Sequence, residues 1–199
     1  MADQGVNSGR RRFLTATTVV VGGAGAAVAA IPFLKTLKPS ARAEVAGAPV
    51  TEDISKLEPG QRIVVQWRGQ PVWIIRRTPE MLAALPSLED KLRDPNSDNP
   101  DQQPDYARNE YRSIKPEVLV LVGICTHLGC SPTYRPEMVP EPFDSQWKGG
   151  FYCPCHNSRF DLAGRVYDGV PAPTNLVVPP YRFIDDNHIQ VGVDTEGAA

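Results

Sequence analysis

The chain lacks any large excess of charge of one sign and is poor in cysteine and histidine. Its 21 Lys and Arg stand against 23 Asp and Glu, so the formal net charge over 199 residues is −2. Without a basic excess the chain has no electrostatic footprint for a polyanion, and we expect no nucleic acid among its partners. It has only four cysteines and three histidines. The even cysteine count leaves no odd thiol over.

Two short motifs contain all four cysteines and two of the three histidines. The first is C-x-H-x-x-C at residues 125–130, and the second is C-x-C-H at residues 153–156. Thiolate is a soft ligand and imidazole a borderline one, so the two motifs together can supply two sulfurs and two nitrogens to one metal centre. Each motif then retains one further cysteine. This combination is far more specific than a lone C-x-x-C.

The motifs alone also allow two other interpretations. Zinc binds two Cys and two His readily at comparable spacings, although a zinc site does not explain the further cysteine in each motif. A disulfide framework without metal is possible in an exported chain, but it leaves two histidines unexplained. His188, the third histidine, lies in an alternating strand pattern and is expected to be an ordinary surface or turn residue.

The two motifs together resemble those of the Rieske iron–sulfur proteins. In that family two His replace two Cys on one iron of a [2Fe-2S] cluster. The resemblance therefore implies one such cluster as the cofactor. Its sulfur ligands would be Cys125 and Cys153 on one iron, and its nitrogen ligands would be His127 and His156 on the other.

The same resemblance implies a disulfide between Cys130 and Cys155 that holds the two cluster loops together. Rieske ferredoxins and the Rieske domains of ring-hydroxylating oxygenases generally carry the four ligands without this pair. The pair therefore counts against a ferredoxin that serves an oxygenase.

Imidazole ligands suit a cluster that accepts electrons from a hydroquinone. Two neutral imidazoles in place of thiolates remove about two negative charges, and Rieske potentials lie at roughly −150 to +300 mV instead of about −400 mV. Charge withdrawal by iron also acidifies the imidazole N–H, which couples electron and proton. We expect His127 and His156 to contact quinol and to perform this coupled transfer. Leu128, between the ligands, is expected at the docking tip.

Residues just beyond His156 are expected to tune the cluster. Ser158 stands where the family places a hydroxyl that donates to a cluster sulfur, and Phe160 stands where high-potential members have a tyrosine. A missing hydrogen bond of about 1 kcal/mol corresponds to about 40 mV for a one-electron couple. We expect a lower potential than in tyrosine-bearing relatives. Asn157 replaces the usual glycine and should tolerate a positive φ.

The N-terminal sequence predicts export and a membrane anchor. R-R-R-F-L at residues 10–14 resembles the twin-arginine export signal. The 22 uncharged residues 13–34 would span about 33 Å as a helix, enough for a hydrocarbon core of about 30 Å. The preceding arginines favour a cytoplasmic N-terminus at 1–12. A-R-A at 41–43 offers a cleavage pattern, but we favour a retained anchor because the stretch exceeds a usual signal-peptide core.

The remaining chain predicts a hinge and one mainly β domain. Residues 35–50 are rich in alanine and indicate a flexible hinge, and residues 51–199 suit a single domain. Runs of β-branched and aromatic residues at 63–67 and 71–75 predict a hairpin. We expect a Rieske-type antiparallel β head domain with the cluster at one tip, and a cluster-binding part at about 118–176.

Other segments of the head carry local signals. Thr78 and Pro79 indicate a helix start, and Pro86 limits that helix. The polar residues 94–105 predict a surface loop. The insertion at 131–152 contains four prolines, which indicates a surface excursion that is not a regular helix. Residues 169–176 resemble the proline loop that covers the cluster in the family.

The breadth of this resemblance implies the electron-transfer subunit of a bacterial ubiquinol–cytochrome c oxidoreductase, which supports proton translocation. It implies ubiquinol, a cytochrome b subunit, a membrane-bound c-type cytochrome and the lipid bilayer as partners, in a dimeric complex. The implied location is the bacterial inner membrane, with one span and the head in the periplasm. The alternative is an exported soluble Rieske subunit, such as that of a periplasmic arsenite oxidase.

Overall fold

A single long helix, α1 (Ser8–Thr36), forms most of the N-terminal unit of the computed structural model. The structure describes residue 5 and residues 7–193, which divide into one unit up to Val45 and a second from Ala46. The predicted cytoplasmic segment at 1–12 and the predicted head at 51–199 therefore lie partly outside the described residues.

Helix α1 satisfies its own polar groups. Asn7 caps its N-terminus and accepts the backbone N–H of Arg10 at 3.1 Å. Thr15 and Thr18 donate their hydroxyls to carbonyls four residues earlier, each at 2.9 Å, so neither needs an external partner. Among the described residues this is the one helix long and apolar enough to cross a membrane. The predicted span at 13–34 lies wholly within it.

The predicted hinge contains regular structure. Residues 35–50 include the end of α1, the short helix α2 (Ala41–Gly47) and the first residue of β1 (Val50–Asp53). The alanine-rich composition that indicated a flexible connection is also a composition that favours helix.

Within the described residues of the second unit, 46–193, there are three antiparallel sheets of three strands each, which confirms the mainly β class. In the first sheet β1 pairs with β9 (His188–Val191), which pairs with β8 (Tyr181–Phe183). The second sheet consists of β2 (Arg62–Trp67), β3 (Gln70–Arg76) and β4 (Val118–Val122). The third consists of β5 (Thr133–Arg135), β6 (Gly150–Cys153) and β7 (Ser158–Phe160).

The predicted hairpin is present as β2 and β3. Arg68 and Gly69 turn the chain with φ of 50° and 73°, the positive values that match the twist of a two-residue hairpin. Every residue of β4 is buried. The indole of Trp73 stacks on Phe151 at 5.2 Å between ring centroids, so the second and third sheets pack on a common core.

The predicted helix start is confirmed at α3 (Pro79–Ala84). The Thr78 hydroxyl accepts the Met81 backbone N–H at 3.3 Å. The chain then continues as a 3-10 helix, Leu85–Lys91. Pro86 supplies no backbone donor, which limits the α-helix as predicted.

Two predicted surface segments are partly buried. Within 94–105, Ser97 is inaccessible and Gln103 is 6% exposed, because the Gln103 amide donates to backbone carbonyls of its own loop at 3.0 and 2.7 Å. Within 131–152 there is no helix, as predicted, but Trp147 is only 2% exposed. Its ring belongs to the main hydrophobic core and stacks on Tyr167 with 6.0 Å between ring centroids, so the insertion packs on the head instead of leaving it.

Candidate metal centre

The first cysteine–histidine loop follows directly from the buried strand β4. Its backbone closes through the N–H of Cys125 to the Cys130 carbonyl at 2.7 Å and the N–H of Gly129 to the Cys125 carbonyl at 3.0 Å. A Cβ at Gly123 would lie 2.2 Å from the indole of Trp73. Only glycine therefore lets the chain leave β4 across that ring.

The second loop is the turn of the hairpin formed by β6 and β7. Cys153 pairs with Ser158 in the strand register, and residues 154–157 form the turn between them. Asn157 adopts a φ of 61°, which confirms that this residue accepts the left-handed conformation. The hydroxyl of Tyr152 donates to the Asn157 side-chain oxygen.

The two loops bury the thiol groups of their free cysteines more deeply than the imidazole rings of their histidines. Cys125 and Cys153 are free thiols, each only 2% exposed. His127 is half-buried and His156 is exposed. Their rings are perpendicular, with centroids 4.7 Å apart. The structure thus places two thiols on the inner side and two neighbouring imidazoles at the surface.

The disulfide predicted between the loops is present. Cys130 and Cys155 are bonded to each other. Their sulfurs and the sulfur of Cys153 all lie within 4.8 Å of one another. Cystine sulfurs are not thiolates, so this trio is not itself a ligand set. The two cysteines available as thiolate ligands are Cys125 and Cys153.

Ser158 connects the inner sulfurs to the rest of the head. Its side chain is fully buried and its oxygen accepts the Ala172 N–H at 3.0 Å. Burial raises the pKa of the Cys125 thiol, and the backbone N–H of His127 and the Ser158 hydroxyl oppose that rise by donating to its sulfur. Ser158 therefore lies beside the inner sulfurs, and its donation to a cluster sulfur stays a prediction.

The proline loop, residues 169–176, lies against both cysteine–histidine loops. The Thr126 hydroxyl, on the first loop, donates to the Thr174 carbonyl at 2.7 Å. The Ala172 N–H reaches Ser158 at the end of the second. Three segments that are distant in sequence are thereby fastened at one end of the head.

The sequence analysis did not predict several residues that hold the loops around the candidate site. Arg93 donates to the carbonyls of Val170 and Ala172 at 3.2 and 2.9 Å. Asp161 and Arg165 form a buried ion pair at 2.7 Å in the turn after the second loop. The spacing D-x-x-x-R inside an apolar stretch was the available signal for that pair. Nothing local in the sequence signals the carbonyl contacts of Arg93.

The remaining predicted site residues occupy contrasting positions. Leu128 is 72% exposed at the tip of the first loop, where its side chain is available to a partner. Phe160 is fully buried and pairs with Phe151 across the β6–β7 register.

Two buried thiols and two surface imidazoles match the sulfur and nitrogen donors of a Rieske cluster. The donor chemistry thus fits that group.

Comparison with known proteins identifies similar chains. Residues 105–182 match the family described as "Rieske [2Fe-2S] domain", and residues 1–40 match "Ubiquitinol-cytochrome C reductase Fe-S subunit TAT signal". The "Ubiquinol-cytochrome c reductase iron-sulfur subunit" of Allochromatium vinosum is 61% identical over 198 residues, covering 100% of this chain and 95% of that protein.

A protein of the same description from Blastochloris viridis is 42% identical over 184 residues, covering 92% of each chain. Among solved structures, a chain of a "Hyperthermophilic respiratory Complex III" is 28% identical with a TM-score of 0.48, covering 89% of this chain and 98% of that one.

Proposed function

Because the chain belongs to the family of ubiquinol–cytochrome c reductase iron–sulfur subunits, we propose that it takes one electron, with a coupled proton, from ubiquinol. It then passes the electron to a membrane-bound c-type cytochrome, and this transfer supports proton translocation. Its cofactor is one Rieske [2Fe-2S] cluster, and its role in the oxidoreductase complex is electron transfer. The observation that carries the proposal is the separation of two buried thiols from two adjacent surface imidazoles.

The assignment of ligands follows this separation by depth. When bound, a Rieske cluster supplies a one-electron acceptor whose potential is raised by its imidazole ligands. Cys125 and Cys153 would hold one iron of the cluster, and His127 and His156 would hold the other. A ring nitrogen of either surface histidine accepts the hydrogen bond from the quinol hydroxyl. Leu128, exposed beside them, packs against the partner that presents the quinol.

The disulfide and the proline loop keep water from the inner side of the site. Cys130 and Cys155 hold the two ligand loops against each other. Thr126 and Ser158 fasten residues 169–176 over the same region. Neighbouring groups that fix and shield ligands in this way control solvent access and hence the potential of a metal centre.

The proposed partners are a cytochrome b subunit, a membrane-bound c-type cytochrome and the lipid bilayer, in a dimeric complex. The proposed location is the bacterial inner membrane, with residues 1–12 in the cytoplasm, 13–34 as the span, 35–50 as the hinge and the head from 51 in the periplasm. The length of α1 and the twin-arginine match support this arrangement. Identity along the full chain with reductase subunits favours it over the exported soluble subunit.

Quinol–cytochrome c assays on membranes test the proposal. Membranes from cells that lack this chain should have no inhibitor-sensitive electron transfer from ubiquinol to cytochrome c, and expression of the full chain should restore it. Unchanged activity without the chain would contradict the proposal. N-terminal sequencing of the mature protein distinguishes a retained anchor from cleavage at 41–43.

Ser158→Ala should lower the midpoint potential. The variant removes the hydroxyl that is proposed to donate to a cluster sulfur, and a lost hydrogen bond of about 1 kcal/mol corresponds to about 40 mV for one electron. A redox titration of the complex followed by EPR measures the shift. Ser113→Ala is the matched control, because this buried serine accepts from Arg77 at 2.8 Å and is not part of the proposed site. Equal potentials in both variants would refute this role for Ser158.

Phe160→Tyr should raise the potential by a few tens of millivolts. The ring is fully buried beside the site, and the family's high-potential members carry a hydroxyl at this position. A charge-dependent hydrogen bond from that hydroxyl stabilises the reduced cluster by about 1 kcal/mol. The same titration measures the shift, and an unchanged or lower potential in a correctly folded variant counts against the account.

A further inference from the structure

The residue that follows His156 is held by a contact between side chains. Asn157 has a φ of 61°, and its side-chain oxygen accepts the hydroxyl of Tyr152 across the turn of the β6–β7 hairpin. A glycine would adopt this φ without cost but would leave the turn free to move. Asparagine accepts the conformation and adds a tether to the preceding strand.

Tyr152 is itself supported by the insertion. Its ring stacks on Phe143 with 3.9 Å between centroids and an interplanar angle of 6°. Phe143 in turn meets Trp147 edge to face at 5.1 Å. Trp147 is buried and its indole N–H is bonded to a backbone carbonyl, so the outer end of this aromatic row is fixed. The Tyr152 hydroxyl is thus presented from a supported ring.

The tether and His156 share one surface groove. The groove has a volume of about 570 Å³. Its walls include Phe143, Tyr152, His156, Asn157, Val170 and Pro171. The aromatic row and the proline loop therefore line the same groove as the exposed imidazole, and the bond between Asn157 and Tyr152 joins that imidazole's loop to the aromatic row.

We propose that Asn157 and Tyr152 form a latch that positions His156, so that the second loop presents its imidazole to the redox partner in one orientation. Asn157 determines the backbone direction immediately after His156, and the Tyr152 hydroxyl holds it there. The inference rests on the proposed role of His156 as a cluster ligand. Asn157 and Tyr152 are positioning residues in this account, since they act through the histidine.

Four variants in the intact complex test the latch. Asn157→Ala and Tyr152→Phe each remove one partner of the hydrogen bond, and the double variant removes both. Asn157→Asp keeps an acceptor and tolerates the same φ. The control is Tyr167→Phe, since Tyr167 is a buried tyrosine whose hydroxyl has no hydrogen-bond partner within the described part of the chain. EPR of the reduced cluster reports ligand geometry, and steady-state kinetics report the KM for quinol.

Each single variant should shift or broaden the EPR g-values and raise the quinol KM by about fivefold, the factor that one neutral hydrogen bond allows. The double variant should do no more than either single one, because partners of one bond are not additive. Asn157→Asp should retain the wild-type line shape, and Tyr167→Phe should change nothing.

Wild-type spectra and KM in the single variants, or additive effects in the double variant, would overturn the latch. Loss of the wild-type line shape in Asn157→Asp would overturn it as well. A wild-type complex without a Rieske signal would instead overturn the proposed function, so the two failures are distinguishable.

Discussion

Replacing either surface histidine by alanine should abolish the Rieske EPR signal and reduce quinol–cytochrome c activity by more than about 100-fold. Substituting a residue that only supports a metal ligand already lowers metal affinity or activity by about 10- to 100-fold, and loss of a ligand itself should cost more. His156 is exposed and His127 half-buried. Loss of either imidazole would remove one of the two proposed nitrogen ligands, and no other histidine lies in the two loops to replace it. EPR of membranes and the inhibitor-sensitive assay measure both effects.

The third histidine provides the control. His188 begins β9, and its ring contacts the carboxylate of Asp185 at 2.9 Å. That carboxylate raises the pKa of His188. His188 lies outside both cysteine–histidine loops, so His188→Ala should leave the cluster signal unchanged. A His156→Ala or His127→Ala complex that keeps an intact signal would refute the assignment of ligands.

Removing both disulfide cysteines should destabilise the head by about 3–4 kcal/mol through loop-closure entropy. The bond joins residues 25 apart in sequence. For a domain of this size the expected drop in Tm is roughly 6–16 °C. The double variant Cys130→Ala/Cys155→Ala is preferred to either single one because it leaves no spare thiol beside Cys153. Thermal unfolding followed by circular dichroism measures the change.

The same variant should also lose its cluster faster, since nothing covalent then joins the two ligand loops. Reduction of the wild-type disulfide by excess thiol should reproduce both effects. A Tm within about 2 °C of wild type, together with unchanged cluster retention, would show that hydrogen bonds alone hold the loops.

The candidate ligands could be predicted from the sequence because the residues of each motif are close neighbours in the chain. The four proposed ligands and the disulfide pair lie in two runs of six and four residues. The hairpin of β2 and β3 and the Thr78 cap also depend on neighbouring residues. Their signals therefore survive without knowledge of the tertiary structure.

Contacts between segments that are distant in the chain could not be predicted from the sequence. The Thr126 hydroxyl finds a carbonyl 48 residues later, and Arg93 finds one 79 residues later. A backbone carbonyl carries no sequence signal, so neither bond could be predicted. The Tyr152–Asn157 bond is local, but it depends on the strand register of the hairpin. Burial of Ser97 and Trp147 was missed because polar, proline-rich segments are usually exposed.

The sequence predicted the N-terminal helix but not the residues at which it begins and ends. The uncharged stretch 13–34 predicts a helix, yet α1 extends from Ser8 to Thr36 because Asn7 supplies the cap and flanking arginines and lysine continue the helix. The hinge prediction at 35–50 rested on composition, and α2 lies within it.

Pulsed EPR of the reduced, purified complex, with iron analysis of the same sample, distinguishes a Rieske cluster from other metal centres at these two loops. We expect two irons per chain and hyperfine couplings from two distinct histidine nitrogens. Zinc in place of iron, or an iron centre without nitrogen couplings, would contradict this expectation.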